Sequence, residues 1–272
     1  MNDNLLTTSQ WLNQATKQLS AVDIQTARLD ALVLLEDALG KDRSSLLAHP
    51  ETALSQTITK QLATQLKRRA NHEPLAYIRG KTEFYGREFI VNAHTLEPRP
   101  ETETILDCLK SLPIESGAMC DVGTGSGCIA ISAKLELHGL RVVATDIDSK
   151  CIKTAQKNAE LLGVDVLFSE GNLLEPVSNQ EIDIIACNLP YVPSKYQLNK
   201  AATFEPKHAI FGGEDGLDYY RQLFEQIAAL KTRPQYVLTE SLPFQHEQLA
   251  KIASTANYKL HKTDDFIQVF TS

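Results

Sequence analysis

Between residues 118 and 270 short apolar runs alternate with amphipathic ones, and the first changeover carries Asp121-Val122-Gly123-Thr124-Gly125-Ser126-Gly127. This alternation limits the fold more than any other feature. The spacing predicts strands over 118–121, 141–146, 164–169, 182–187 and 236–239, with helices over 127–138, 149–162, 217–230 and 245–256. Parallel strands need long crossovers, so this repetition implies an α/β fold, a mainly parallel sheet with helices on both faces. Two further strands, 258–261 and 266–270, close the chain.

The residues ahead of this region follow a different period. Ser9 is placed to cap a helix through Trp11, Leu12 and Leu19. Asp23 is placed to cap a second, through Ala27, Leu29, Leu32, Leu35 and Leu39, which Gly40 ends. A third is expected over 53–70, where Leu54, Ile58, Leu62 and Leu66 recur every four residues. Together they make a small all-α bundle that Pro74 terminates. Aromatic and β-branched residues flank Gly86 in 82–91, the pattern of a β-hairpin, here read as a linker. The expected domains are a helical unit at 1–80, a hairpin linker at 81–99 and an α/β domain at 100–272.

The chain of 272 residues is 43% hydrophobic and 22% charged, the balance of a soluble globular protein. No apolar run reaches membrane-spanning length, and the first residues lack the basic and apolar regions of a secretion signal. A cytoplasmic location is therefore expected. The formal net charge of −7 argues against a broad grip on nucleic acid. Lys67-Arg68-Arg69 is the one dense basic cluster and reads as a solvated helix end. The five cysteines contain no CxxC pair and the seven histidines no HxxxH pair. Reduced, buried thiols and no metal are expected.

Glycines in the 121–127 loop let the backbone approach a ligand closely. The dinucleotide pattern G-x-G-x-x-G fails, because the third glycine comes one residue early and Cys128 stands in its place. No G-x-x-x-x-G-K-[ST] run occurs either, so a cofactor without phosphates fits best. Asp146 ends the second strand, about 20 residues on, where an acidic side chain holds ribose hydroxyls. Asn172 and Leu173 follow the third strand, where they can meet the edge and face of an adenine. Asn188-Leu189-Pro190-Tyr191 follows the fourth. This turn offers a side-chain carbonyl, a backbone carbonyl, a fixed φ and a flat ring, which suit a planar NH₂ group. An ordinary proline turn has the same composition. Ligands of open α/β sheets gather beyond the carboxyl ends of the strands, and all four segments lie at such ends.

With these segments in order, the chain resembles class I S-adenosyl-L-methionine-dependent methyltransferases of amino groups. Glu73-Pro-Leu-Ala-Tyr-Ile-Arg-Gly80, Phe84-Tyr-Gly86, Pro98-Arg-Pro-Glu-Thr-Glu103, Phe204-Glu-Pro206, Gly212-Gly-Glu-Asp-Gly-Leu217 and Glu240 with Gln245 narrow the resemblance. They are similar to the HemK family, the N5-glutamine methyltransferases of peptide chain release factors. The resemblance runs from about Leu5 to Phe270.

It implies a Rossmann-like methyltransferase sheet whose last strand is antiparallel. It also implies S-adenosyl-L-methionine as cofactor and the Gly-Gly-Gln motif of release factors as protein substrate, with the helical unit aiding docking. Gly123, Thr124, Gly125, Ser126, Gly127, Asp146, Asn172, Leu173 and Asn188 are expected at the cofactor. Asn188, Leu189, Pro190 and Tyr191 are expected to hold the glutamine and form the catalytic turn, with Phe84 and Pro98–Glu103 bordering the pocket. No direct nucleic-acid or membrane contact is expected, and the chain is expected to act as a monomer.

Three positions depart from the family pattern. Leu189 replaces the usual proline, and since a carbonyl is all the chemistry needs there, Leu189→Pro is expected to be tolerated. Asn172 stands where an acidic residue is common, and Ser241 follows Glu240 where the family favours Ile-Gly. The first departure raises an alternative, an adenine-N6 methyltransferase acting on a flipped base of RNA or DNA. A non-catalytic cofactor-binding adaptor is the third reading.

Overall fold

The computed structural model describes residues 5–272, so the first four residues of the expected helical unit lie outside the described residues. The chain divides into two compact units, one built from the residues up to Gly80 together with Asn199–Phe204, the other from Lys81–Leu198 and Glu205–Ser272.

The first unit holds α1 (Thr8–Ser20), α2 (Ala27–Leu39), α3 (Arg43–Ala48), α4 (Gln56–Ala70) and α5 (Leu75–Arg79). Its helices start at different residues from those expected. Thr7, not Ser9, caps α1, its hydroxyl accepting from the Gln10 amide at 3.3 Å while the Gln10 side chain accepts from the Thr7 amide at 3.0 Å. Asp23 occupies a left-handed turn at φ 61° and α2 starts after Thr26, though Gly40 does end it. Ser55 caps α4. Pro74 opens α5 instead of closing the bundle. Trp11, Leu19, Leu34, Leu35 and Leu62 are buried at its centre.

The basic cluster at the end of α4 is solvated only in part: Lys67 is exposed, while both arginines are paired. Arg68 pairs with Glu73, and Arg69 reaches the nearly buried Asp30 of α2 at 2.7 Å.

The second unit begins with β1 (Lys81–Phe84) and β2 (Arg87–Ile90), paired antiparallel. Tyr85 and Gly86 both take positive φ in the turn between them, as a tight hairpin requires. The hairpin belongs to this unit's core and is no free linker. Phe84 and Phe89 are buried edge to face, and Asn158 donates to the Ile90 carbonyl and accepts from its amide.

The α/β part follows: α6 (Glu103–Lys110), β3 (Gly117–Val122), α7 (Cys128–Glu136), β4 (Leu140–Asp146), α8 (Ser149–Leu162), β5 (Leu167–Glu170) and β6 (Ile184–Cys187). Then come α9 (Asp218–Ala229), β7 (Tyr236–Glu240), α10 (His246–Thr255), β8 (Lys259–Asp264) and β9 (Ile267–Thr271). Seven strands form one sheet in the order β5-β4-β3-β6-β7-β9-β8. The pairs from β5 through β7 are parallel, while β9 is antiparallel to both β7 and β8.

Side chains alternate between two cores. Met119, Val142 and Ile184 join the core with α6 and α7; Cys120, Val143 and Ile185 join the one with α9 and α10. Such double burial explains the near-continuous apolar strands. Strand order reverses between β3 and β6, which leaves a crevice beyond their carboxyl ends.

Arg69→Met should strand the Asp30 carboxylate and lower the stability of the helical unit by about 3 kcal/mol in urea denaturation. Adding Asp30→Leu should recover most of that loss.

Candidate active site

The crevice beyond β3, β4, β5 and β6 encloses a cavity of about 260 Å³. Gly123, Thr124, Gly125, Ser126, Asp146, Asn172, Leu173, Asn188, Leu189 and Pro190 all line it, so the sheet gathers segments far apart in sequence.

The glycine loop is shaped by its backbone. Gly123 and Gly125 take φ of 76° and 55°, a region that favours glycine. The Gly125 amide donates to one Asp146 oxygen at 2.8 Å and the Asp148 amide to the other at 2.9 Å. Each oxygen keeps a lone pair, so the carboxylate can still receive a diol. Burial raises the Asp146 pKa, and these two amides act against it. Beneath the loop, burial pushes Asp121 up to about 7 although it accepts from the Thr124 hydroxyl and the Ala130 amide.

Gly127 plays another part. A Cβ there would sit 2.9 Å from the Ile131 side chain and 3.0 Å from that of Ala155, so this glycine lets α7 approach α8 and does not line the cavity.

Asn188 leaves β6 and donates from Nδ2 to the Thr102 hydroxyl at 2.9 Å. That bond occupies the amino side of the amide while the residue lines the crevice. Leu189 lies 3% exposed, and its side chain would stand 2.9 Å from a Cβ on Gly123. Contrary to expectation, its side chain matters as well as its carbonyl, because it floors the glycine loop.

Tyr191 is not among the residues lining the cavity, and its hydroxyl donates to Glu240 at 2.9 Å. Burial, then the charge of Glu240, raise its pKa well above the ordinary phenol range. Phe84 does not border the cavity, since the hairpin buries it in the core. Of the Pro98–Glu103 segment, Pro98 and Thr102 do line it.

Several residues here had no role assigned from sequence. Glu240 ends β7 fully buried, and burial pushes it up to about 7 against the hydrogen bond from Tyr191 and the pull of the nearby Thr102 hydroxyl. Gln245 donates to the Tyr191 and Asp215 carbonyls, both at 2.8 Å. The Gly212–Leu217 loop backs onto the Asn188–Tyr191 turn, because a Cβ on Gly212 would lie 2.1 Å from the Pro190 carbonyl oxygen. Buried Glu205 pairs with Arg99 and accepts from the Glu97 amide, anchoring the segment that carries Thr102. Ile147, at 66% exposure, adds an apolar wall beside Asp146. Ser241 is buried with its hydroxyl unpartnered, and nothing in the structure explains it. All five cysteines are free and buried, and burial raises their pKa values, so none is a poised nucleophile. No metal-binding cluster occurs among the described residues.

Family models of the PrmC N-terminal domain and the methyltransferase small domain match residues 10–80 and 100–205. The chain is 40% identical over 191 residues to a release factor glutamine methyltransferase of Enterococcus faecalis, covering 69% of each chain. It is 38% identical over 229 residues to one of Koribacter versatilis, covering 82% of this chain and 81% of that one. This chain belongs to the release factor glutamine methyltransferase family.

Solved structures agree on the fold of this methyltransferase. A Pyrococcus furiosus methyltransferase is 17% identical with a TM-score of 0.52, covering 79% of this chain and 97% of its own. The T. thermophilus 16S rRNA N2 G1207 methyltransferase, in complex with AdoMet and guanosine, is 16% identical. Its TM-score is 0.52, over 71% of this chain and 49% of its own.

In this methyltransferase Leu189→Ala should open a void beneath the glycine loop and cost about 2–4 kcal/mol in urea denaturation. Leu189→Met, which keeps the volume, should cost less than about 1.5 kcal/mol.

Proposed function

We propose that the chain methylates the side-chain amide nitrogen, N5, of the glutamine in the Gly-Gly-Gln motif of peptide chain release factors, with S-adenosyl-L-methionine as donor. The observation that carries this reading is the Asn188 amide. Its Nδ2 is held by Thr102, so the oxygen is the side available to a ligand in the crevice. A turn that presents two carbonyl oxygens is an acceptor for an NH₂ group and a poor host for a carboxylate.

The crevice suits the donor. Two left-handed glycines, a strand-end carboxylate and the apolar side chains of Ile147 and Leu173 provide a close backbone cradle, a partner for hydroxyls and a cover for a base. No lysine or arginine lines it, which fits a ligand without phosphates. When bound, S-adenosyl-L-methionine would supply a sulfonium methyl group, which the amide nitrogen takes in line as the S–CH₃ bond breaks, with S-adenosyl-L-homocysteine leaving and one amide proton passing to water.

The protein's task is positional. An amide nitrogen is a weak nucleophile because its lone pair is conjugated with the carbonyl. Asn188 Oδ1 and the Leu189 carbonyl accept its two N–H bonds and turn its π-face toward the donor side of the crevice. Pro190 limits the freedom of the turn. Tyr191, tied to Glu240, steadies it from behind. Orientation of this kind contributes on the order of 7–11 kcal/mol to a barrier. No strong base is required before attack, because the nitrogen becomes acidic only as the new bond forms.

The lack of cationic lining also disfavours a nucleic-acid substrate, whose phosphates would need partners. The same reading takes the chain to act as a monomer. The helical unit is assigned to docking of the release factor. A substrate of the translation machinery puts the reaction in the cytoplasm, and among the described residues no helix is long and apolar enough to cross a membrane.

Incubation with labelled S-adenosyl-L-methionine should label purified release factor and leave both ribosomal RNA and a factor with the Gly-Gly-Gln glutamine replaced unlabelled. Label in the RNA would establish the adenine reading instead, and label in neither would favour the adaptor. Asn188→Ala should lose more than about 100-fold in kcat, with a smaller loss of cofactor affinity. Asp146→Ala should raise the cofactor dissociation constant by calorimetry; an unchanged constant would place the ribose contact elsewhere.

A further inference from the structure

The reaction needs one face of the Asn188 amide and is defeated by the other. An asparagine side chain is nearly symmetric in shape, so packing alone does not distinguish its oxygen from its nitrogen. Something must set the polarity. Thr102 provides the contact, since Asn188 Nδ2 donates to its hydroxyl at 2.9 Å and Thr102 is 2% exposed. A threonine hydroxyl has a single proton, and it can equally donate to an Asn188 oxygen. The contact therefore fixes the amide only if that proton is committed elsewhere.

The acceptor is at hand. Glu240 is fully buried at the end of β7, with one oxygen taking the Tyr191 phenol at 2.9 Å. Its other oxygen, Oε2, has no partner of good geometry, yet the Thr102 hydroxyl is close enough to draw the Glu240 pKa down. An unpartnered buried carboxylate oxygen is costly, so a short rotation that brings it the Thr102 proton is favoured. We propose that Glu240 acts through the Thr102 hydroxyl as a positioning residue, holding Asn188 with its carbonyl oxygen toward the crevice.

The chain of donors then runs one way, from the Asn188 amino group to Thr102 and from Thr102 to Glu240. Tyr191 ends on the same carboxylate, so both ends of the catalytic turn are referred to one buried charge. A neutral group at 240 with its own donor would reverse the Thr102 hydroxyl and offer the amide no preference. This inference rests on the reading of Asn188 as the acceptor of the substrate amide.

The test uses the full chain with release factor and compares Thr102→Val, Thr102→Ser, Glu240→Gln and the Thr102→Val/Glu240→Gln double variant. Thr102→Val and Glu240→Gln should each lower kcat on the order of 10- to 100-fold. The cofactor dissociation constant from calorimetry and the KM for release factor should stay within about threefold, the change expected where only the turnover geometry is disturbed. Thr102→Ser should restore kcat to near wild type. The double variant should be no slower than the slower single variant, because both act through one hydrogen-bonded path.

Wild-type kcat in Glu240→Gln, equal losses in Thr102→Ser and Thr102→Val, or losses that multiply in the double variant would each overturn the proposal. Should Thr102→Val fail to fold, the serine and glutamine variants decide alone. A wild-type chain that labels no release factor overturns this inference together with the reading it rests on. Labelling with indifferent variants overturns the inference only.

Discussion

The parallel pairing of β3 with β4 on one side and β6 on the other is the constraint on which the rest depends. With the parallel pairing of β4 and β5 it turns four strand exits toward one end of the sheet, and reversal of strand order between β3 and β6 keeps their loops from covering the gap. Donor-side and acceptor-side groups thus meet although Gly123 and Asn188 are far apart in sequence. Leu189 joins the two halves physically, because its side chain floors the loop that Gly123 opens. The glycine loop and the Asn188–Tyr191 turn are one packed object.

Around that object the protein spends its buried polar groups on orientation. Glu240, Thr102, Gln245, Glu205 and Asp121 are all buried, and each makes a hydrogen bond or ion pair with the Asn188–Tyr191 turn, the glycine loop or the segment around Arg99. Burying carboxylates is unfavourable in itself, as the rise of Glu240 and Asp121 to about 7 records. A reaction with a weak nucleophile and no strong base gains most from fixed geometry, and buried polar contacts supply it.

The α/β region was legible because its signals are local. The apolar strand expected at 182–187, found as Ile184–Cys187, and the helix at 149–162 follow from runs and spacing that a single segment carries, whereas the antiparallel close of the sheet came only with the family resemblance. The helical unit was less so. Thr7 and Ser9 are equally good caps on composition, and only the reciprocal bond with Gln10 decides between them. Short helices such as α3, α5 and α6 have too few turns to show a period. At the site, chain-local motifs gave Asn188, Asp146 and most of the glycine loop. That Gly127 and Phe84 do not line the cavity has no sign in the sequence, because a glycine that serves helix packing and one that serves a ligand look alike there, as do a pocket aromatic and a core one. Thr102 and Glu240 lay in segments that the family resemblance had marked, but their contacts with the turn had no local signal, since they reach it from 86 and 49 residues away in the chain.

The most direct measurement is a crystal structure of the chain with S-adenosyl-L-homocysteine and a glutamine peptide bearing the Gly-Gly-Gln motif. The glutamine nitrogen should lie about 3 Å from both Asn188 Oδ1 and the Leu189 carbonyl oxygen, with Asn188 Nδ2 still on Thr102. A glutamine that meets neither oxygen, or that turns its own carbonyl toward Asn188, would contradict the account.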